Sequence, residues 1–434
     1  MPRPVLSEEL EKMVLAFVQP LPHFVTWQLV SRRWRTILSS LPAYDANMDC
    51  IRPVDSALYL ALLQRWPMLR SVTMTHDVHV SNEMTWQLGL AQLAHLEHLS
   101  LRRTFTKVLQ ELFKSCPAIR SLSVLAGSDL RLPTVKTSLM HLQKLELQAA
   151  TLANNSSIMS IVRNAPQLTH FVVSAASDVT SQVLTQLATS CPHIQQVVLN
   201  QCGLMVASQV DTFLRKFHAQ LTWVDLSHCH DLKLFLMNAD EELVLDQLQV
   251  LVVDSTLVRD SVLQSIRCPK LQVLSIQNCR CITDTGVVAF MAHHVNAPLK
   301  IFEAKNTAIT EISVDVIERS LPNLTHIGVE SCRGVPRATR QRCALQCHMH
   351  ASQFERVLVA TNAAAYRKDN VGVEFAATPI KPSSMSYGLD EEYTPRDGHQ
   401  EYEEDHAEET PQRRGRRRRM PTHQPAKRSR NITN

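Results

Sequence analysis

Glycine is scarce in this chain, ten residues in 434, which is few for a protein built on glycine-rich nucleotide loops. No apolar run approaches the roughly 18 residues that cross a bilayer as a helix. The opening stretch, MPRPVLSEELEK, carries acids where a secretory leader would carry its apolar core. The expectation is a chain made and kept in the cytosol or nucleus, with no membrane partner. There is no G-x-S-x-G, no H-E-x-x-H and no phosphate-cradling loop, so no hydrolase, metalloprotease or nucleotide-binding constellation emerges. Paired Cys-x-x-Cys spacing is missing too, which argues against zinc-finger arrangements and an intrinsic RING finger. A non-enzymatic protein without a cofactor is expected.

What the chain does have is cysteine. Residues 269–290 read PKLQVLSIQNCRCITDTGVVAF, and with Cys268 just before them three cysteines fall within fourteen positions. Such density fits a metal site, a redox pair, a nucleophile or packing. In a reducing compartment the eleven cysteines are thiols, and their odd number argues further against a disulfide framework.

The register of Leu271-x-x-Leu274-x-Ile276 decides the matter, because it recurs. Segments such as PMLRSVTM (67–74), PAIRSLSV (117–124), PHIQQVVL (192–199) and PNLTHIGV (322–329) repeat it. Across eleven segments the first apolar residue stands at 69, 96, 119, 142, 168, 194, 221, 248, 271, 299 and 324. The spacings, 23 to 28 residues, fall in the range of leucine-rich repeats. Each segment is a short strand whose alternating apolar side chains face inward. Between strands lie amphipathic helices, for example SQVLTQLATSC (181–191), with Val183, Leu184, Leu187 and Ala188 at helical spacing. One strand and one helix bury too little alone, so the repeats stack into a solenoid with parallel strands on its concave face and helices outside.

The cysteines follow this register. Cys202, Cys229, Cys279 and Cys332 each stand three residues after the last apolar strand position, where other repeats carry Thr104, Thr256, Thr307 or Ala150. Cys116, Cys191 and Cys268 each precede the proline that opens the next strand. A small, weakly polar side chain suits both turns. The run NCRCITDTGVVAF resembles the cysteine-containing subclass of leucine-rich repeats, with Ile282-Thr283-Asp284 entering the helix and Ala308-Ile309-Thr310-Glu311 a looser copy. SDVT (177–180) keeps the threonine, expected as an N-cap.

Residues 5–41 carry a helical stripe of Leu6, Leu10, Met13, Val14, Phe17 and Val18, broken at Gln19-Pro20-Leu21-Pro22. A second stripe from Phe24 to Leu38 contains Leu29-Val30-Ser31-Arg32-Arg33-Trp34. This segment resembles an F-box, departing from it at Leu6-Ser7, where the family has Leu-Pro, and at Pro22-His23-Phe24, where no acid precedes the second helix. The resemblance implies docking of a Skp-type adaptor, and through it a cullin, by Leu6, Leu10, Val14, Phe17, Leu21, Leu29, Val30 and Trp34. A helical cap on the solenoid is the other reading of the same stripe. Followed by such repeats, the F-box implies an F-box/leucine-rich-repeat protein whose concave face holds a target for ubiquitin transfer.

On that face the outward strand positions offer Lys144, His170, Trp223, Asp225, Asp254, Gln277, Glu303 and Glu330 for target binding. Eleven strands at about 4.8 Å make a face on the order of 50 Å long, which suits a protein or peptide better than a small substrate. Trp223 reads as an exposed interface anchor, with packing on a neighbouring strand or under a loop as the other reading. The charges lean acidic toward the C-terminal repeats, pointing to a basic target segment. CALQCHMH (343–350) holds Cys343, Cys347, His348 and His350; lacking paired spacing, it reads as a capping helix rather than a zinc site.

The net charge of +4 hides an acidic EYEEDHAEE (401–409) followed by QRRGRRRRM (412–420). From about Asn370 onward, few large apolar residues remain, so a disordered tail is expected. Its Arg413, Arg414, Arg416, Arg417, Arg418 and Arg419, with Lys427 and Arg428 after them, resemble a bipartite nuclear import signal. Phosphate contact with nucleic acid and masking by the upstream acids are the alternatives.

The expected fold class is therefore α/β: a leucine-rich-repeat solenoid (67–342) behind a small all-α F-box-like module (1–42) and a linker or cap (43–66). A C-terminal cap (343–366) and a disordered charged tail (367–434) follow. The expected function is substrate recognition for a Skp–cullin–F-box ubiquitin ligase. A scaffold that never meets a ligase is the rival reading, and a regulator of a small GTPase a further one.

Overall fold

The computed structural model describes residues 32–34, 45–47, 66, 68–74, 93–102, 104, 106–125, 130–232 and 242–344. The chain divides into two units, Met1–Asn370 and Val371–Asn434, and all described residues belong to the first.

The inward apolar positions give one parallel sheet of twelve strands, in the order β1-β2-β3-β4-β5-β6-β7-β8-β10-β12-β13-β14. The eleven segments of the sequence register are β2 (Ser71–Met74), β3 (His98–Leu101), β4 (Ser121–Val124), β5 (Lys144–Leu147), β6 (His170–Ser174), β7 (Gln196–Asn200), β8 (Trp223–Asp225), β10 (Val250–Val252), β12 (Val273–Ser275), β13 (Ile301–Glu303) and β14 (His326–Gly328). Each strand neighbours the next repeat's strand with its register kept, so Val250 lies between Trp223 and Val273. The helices Thr106–Ser115, Asn155–Arg163, Gln182–Ser190, Ala207–Lys216, Asp284–His293 and Glu311–Ser320 carry the chain between strands. A shorter helix, Asp260–Ser265, runs into a two-stranded sheet of β9 (Leu243–Val244) and β11 (Ile266–Arg267). This is the α/β leucine-rich-repeat solenoid that the period implies.

The core is continuous through the repeats. From Leu69 to Leu299 the first apolar residue of every repeat is at most 1% exposed, and Leu324 is half-buried. Each such side chain contributes roughly 1.5–3 kcal/mol on burial. The helix Gln182–Ser190 turns Val183, Leu184 and Leu187 inward, with Ala188 packed beside them, as its spacing predicts.

Two differences from the sequence expectation concern the 43–66 segment and the turns. The strand β1 (Asp45–Asn47) pairs with β2 through Asp45–Ser71, Ala46–Val72 and Asn47–Thr73. It extends the sheet where a linker or cap was expected. In the sequence, the matching register Ala43-x-x-Ala46-x-Met48 carries alanine at two of its three apolar positions. Within three residues of the end of eight successive strands, one residue adopts a left-handed backbone: Ala149, Ala175, Gln201, His228, Ser255, Asn278, Asn306 and Ser331. Only two of these are asparagine, the residue that tolerates that region best after glycine.

The next residue is the recurring cysteine or its substitute, a small side chain that, where it is cysteine or threonine, donates to a buried carbonyl of the turn. The thiols of Cys229, Cys279 and Cys332 donate to the carbonyls of Leu199, Val253 and Ala304 in the preceding repeat, at 3.0–3.1 Å. Where threonine stands instead, Thr256 and Thr307 donate to their own repeat's Val253 and Ala304 carbonyls at 2.7 Å. Burial pushes the Cys202 thiol up to about 12 and the Cys229 thiol to about 11, and raises that of Cys279. The thiols of Cys116, Cys191, Cys268, Cys279, Cys332 and Cys343 are likewise buried, while Cys281 is exposed. Packing, the fourth of the readings, describes these positions.

A second ladder runs along the helix N-termini. Thr283 and Thr310 are N-caps, each accepting from the second residue onward (Thr285 and Ile312) at 3.3 Å. Asp260 receives Thr283 from the next repeat, and Asp284 receives Thr310. Gly286 is required here, because a Cβ at that position would collide with the Asp260 carboxylate. Thr180, expected as a cap, accepts from Gln182 at 3.4 Å and exchanges two further hydrogen bonds with Asn155 of the preceding repeat.

Candidate protein-interaction face

The side chains that leave the sheet away from the helices form three columns, set by the first, second and third outward position of each repeat. The N-terminal part of this face is rich in hydroxyls. Ser71, Thr73, Ser121 and Ser123 surround a pocket of about 210 Å³ with His98 and Lys144 at its edge. Lys144 meets Glu146 at 3.0 Å, and Glu146 also accepts from Ser123 at 2.9 Å and Gln148 at 2.6 Å. Burial works to raise the Glu146 carboxyl, and Lys144 with these donors more than offsets it, leaving it below its ordinary value. One repeat further, His170 is half-buried and shares a 2.7 Å hydrogen bond with Thr169. Lys144 was legible as an outward residue; Ser71, Thr73, His98, Ser121 and Ser123 stand in the same columns.

The C-terminal part of the face is different. Of the two readings of Trp223, packing on neighbouring strands holds: it is 8% exposed and packs with Val250, Val273 and Ile301, flanked by Val198 and Val252. These four residues occupy the first outward column of β8, β10, β12 and β13. Cross-strand contact with Val250, directly in register, removes the indole from water. The register places Val250, Val273 and Ile301 at outward positions too, where apolar residues give no signal distinct from the inward ones beside them. The Trp223 indole N–H is buried and meets no acceptor.

Beside the stripe runs a row of acids. Glu303 is 4% exposed, hydrogen-bonded to His326, and 3.6 Å from Lys305. Its carboxylate occupies the space above Gly328, where a Cβ would collide with it. Lys305 also reaches Glu330 at 3.5 Å. Glu303 is therefore spent inside the face, whereas Glu330 keeps 44% of its side chain exposed.

Asp225 and Asp254 have no such cation. Asp225 accepts from the Ser227 backbone at 2.9 Å and from its hydroxyl. Asp254 accepts from Ser275 at 2.6 Å and from the Gln277 backbone at 2.7 Å, with the Gln277 side-chain amide at 3.3 Å. Neither forms an ion pair among the described residues. Burial raises Asp225 above its ordinary value. Burial, with Asp225 and Glu303 nearby, pushes Asp254 up to about 6. Lys144, His170, Trp223, Asp225, Asp254, Gln277, Glu303 and Glu330 thus all lie on one face, divided between a hydroxyl-rich end and an apolar, acidic end.

Of the expected adaptor contacts, Leu6, Leu10, Val14, Phe17, Leu21, Leu29 and Val30 lie outside the described residues. Arg32–Trp34 are helical, with both arginines exposed and Trp34 half-buried against the solenoid's core. The basic residues from Arg413 to Arg428 also lie outside them, as do Cys347, His348 and His350. Cys343 lies in a helix spanning 337–344. Among the described residues no group of three His, Cys, Asp or Glu side chains is placed to hold a metal ion, and no helix is long and apolar enough to cross a membrane.

No family model matches the chain. Among solved structures it is similar to a chain of the Rad7 and Elc1 complex in yeast, at 15% identity over 71% of this chain and 75% of that chain, with a TM-score of 0.48.

Proposed function

We propose that this protein is a substrate-recognition subunit of a Skp–cullin–F-box ubiquitin ligase, non-catalytic in itself. The N-terminal F-box-like segment would dock a Skp-type adaptor, and the sheet face would hold the target. The observation that carries the reading is the join between these parts. The described end of the Leu29–Trp34 run is helical, and its Trp34 is lodged against the solenoid core. A receptor needs such a tie, because a target held on the sheet must keep a fixed position relative to the adaptor. The basic clusters at 413–419 and 427–428 would serve nuclear import.

The same contact favours a second reading. If Trp34 serves the core rather than the adaptor, residues 1–42 are a cap and the protein is a scaffold. Capture of the full chain by purified Skp-type adaptor separates the two. Binding that is lost in Leu10→Asp supports the ligase reading. Wild type that fails to bind, or Leu10→Asp that binds normally, supports the scaffold.

A further inference from the structure

We infer that the apolar, acidic end of the sheet face, from β8 to β14, recognises an arginine- or lysine-rich extended segment of the target, with Asp225 and Asp254 as the contact carboxylates. The inference rests on the proposed role of this face in target binding and names the chemistry of what it binds.

Three independent features converge there. First, charge is unevenly neutralised: Lys305 lies between Glu303 and Glu330, but no ion pair reaches Asp225 or Asp254. Two half-buried carboxylates in adjacent repeats, met among the described residues by hydroxyl and amide donors and, near Asp225, the His228 imidazole, are a negative focus that a guanidinium or ammonium would complete. Second, Trp223 stands on the same face of β8 as Asp225, two residues away, and is 8% exposed with its indole N–H lacking an acceptor. A backbone laid across the strands supplies carbonyls, the acceptor an indole requires. Third, the stripe Trp223, Val250, Val273 and Ile301 borders the acids, giving the aliphatic stems of arginine or lysine an apolar surface to follow. Lys144, at the other end of the face, is already engaged with Glu146.

The test is fluorescence anisotropy with the full chain and three labelled probes: an arginine–glycine octapeptide, its glutamate–glycine counterpart and a serine–glycine peptide. The chain's acidic stretch at 401–409 attracts the arginine probe by itself, so the readout is the difference between wild type and variants. The expected result is affinity for the arginine probe that falls on the order of tenfold in Asp225→Asn/Asp254→Asn. A smaller fall is expected in Trp223→Phe, which keeps the ring and loses the N–H. Lys114→Met, on the helix Thr106–Ser115 and off the sheet face, leaves binding unchanged. Equal binding by wild type and the double variant overturns the inference, as does equal affinity for the glutamate probe. Adaptor capture is measured on the same preparations. Lost peptide discrimination with intact adaptor binding overturns this inference alone, and the reverse overturns only the ligase reading.

Discussion

Asp284, in the first turn of one helix, grips Thr310, the N-cap of the next: Oδ1 accepts from the Thr310 backbone N–H at 2.8 Å and Oδ2 from its hydroxyl at 2.6 Å. Ser313 also donates to Oδ1. Burial acts to raise this carboxyl, and the donors from Ser313 and Thr310 outweigh it, so the group lies below its ordinary 3.8. Its contribution is therefore present above pH 3.8 and is lost as pH falls through the lower, folded-state value. Asp284→Ala is expected to cost about 1.5–3 kcal/mol in urea unfolding at pH 7, the scale of hydrogen bonds to a charged group. A cost below about 0.5 kcal/mol would show that the ladder does not hold the repeats in register.

His294 gives a pH dependence of the opposite chemical origin. Its Nε2 accepts from the Cys268 backbone N–H at 2.9 Å, which leaves the proton on Nδ1 to be donated to the Phe290 carbonyl at 2.7 Å. The imidazole stacks on Phe290 with 3.8 Å between centroids. Burial, with Arg267 and His293 near, lowers its pKa from 6.5 despite the Phe290 carbonyl. For a base depressed in the folded state, stability is full above the unfolded 6.5 and is lost as pH falls below it, because the unfolded chain binds the proton more readily. Unfolding midpoints should decline from pH 7.5 to 5.5, and His294→Gln should flatten that decline. An unchanged slope in the variant would assign the loss elsewhere.

Cys279 and Cys281 should differ sharply although one residue separates them. Cys279 is buried with its thiol on the Val253 carbonyl at 3.1 Å and its pKa raised, mainly by burial; Cys281 is exposed. Under native conditions, brief alkylation followed by peptide mass spectrometry should label Cys281 and leave Cys279 intact. Cys279→Thr should stay within about 1 kcal/mol of wild type, because Thr256 and Thr307 show where the hydroxyl bonds. Rapid labelling of Cys279 would contradict its structural role.

The left-handed residues after the strands offer a stabilising substitution. Ala175, at φ 54°, has a Cβ in a region costing about 1–2 kcal/mol for an L-residue. Glycine adds unfolded-state entropy of roughly 0.5–1 kcal/mol. Ala175→Gly should therefore raise stability by up to about 1 kcal/mol, read as a higher urea midpoint with an unchanged slope. A fall in midpoint would mean the turn holds no strain.

These cases mark what the sequence could and could not reveal. Leucine spacing located eleven strands because each inward position carries a bulky apolar side chain, and Ile282-Thr283-Asp284 announced its helix through a cap. The strand β1 escaped notice because Ala43, Ala46 and Met48 signal burial weakly. Several turns after the strands were invisible because Ala149, Ala175 and Gln201 carry no preference for positive φ. On the candidate face, the register placed the outward residues on the side of the sheet away from the helices, but it could not tell that Trp223 is covered or that His326 and Lys305 engage Glu303. Those facts depend on cross-strand neighbours, which one strand's sequence does not contain.

Asp254 links stability to binding. Its folded-state pKa of about 6 exceeds the ordinary 3.8, so the group favours folding below pH 3.8 and loses that contribution as pH rises through 6. At pH 7.5 the ionised carboxylate is a cost, on the order of 1–3 kcal/mol. Asp254→Asn keeps an acceptor for Ser275 and the Gln277 backbone while removing the charge. The variant should therefore unfold at higher urea than wild type at pH 7.5 and show little gain at pH 4.5. If the same substitution weakens the arginine probe, the charge serves recognition at the expense of the fold, as a binding-site carboxylate does. Lower stability at pH 7.5 would instead make Asp254 a structural anion, and its role in recognition would then have to be carried by Asp225.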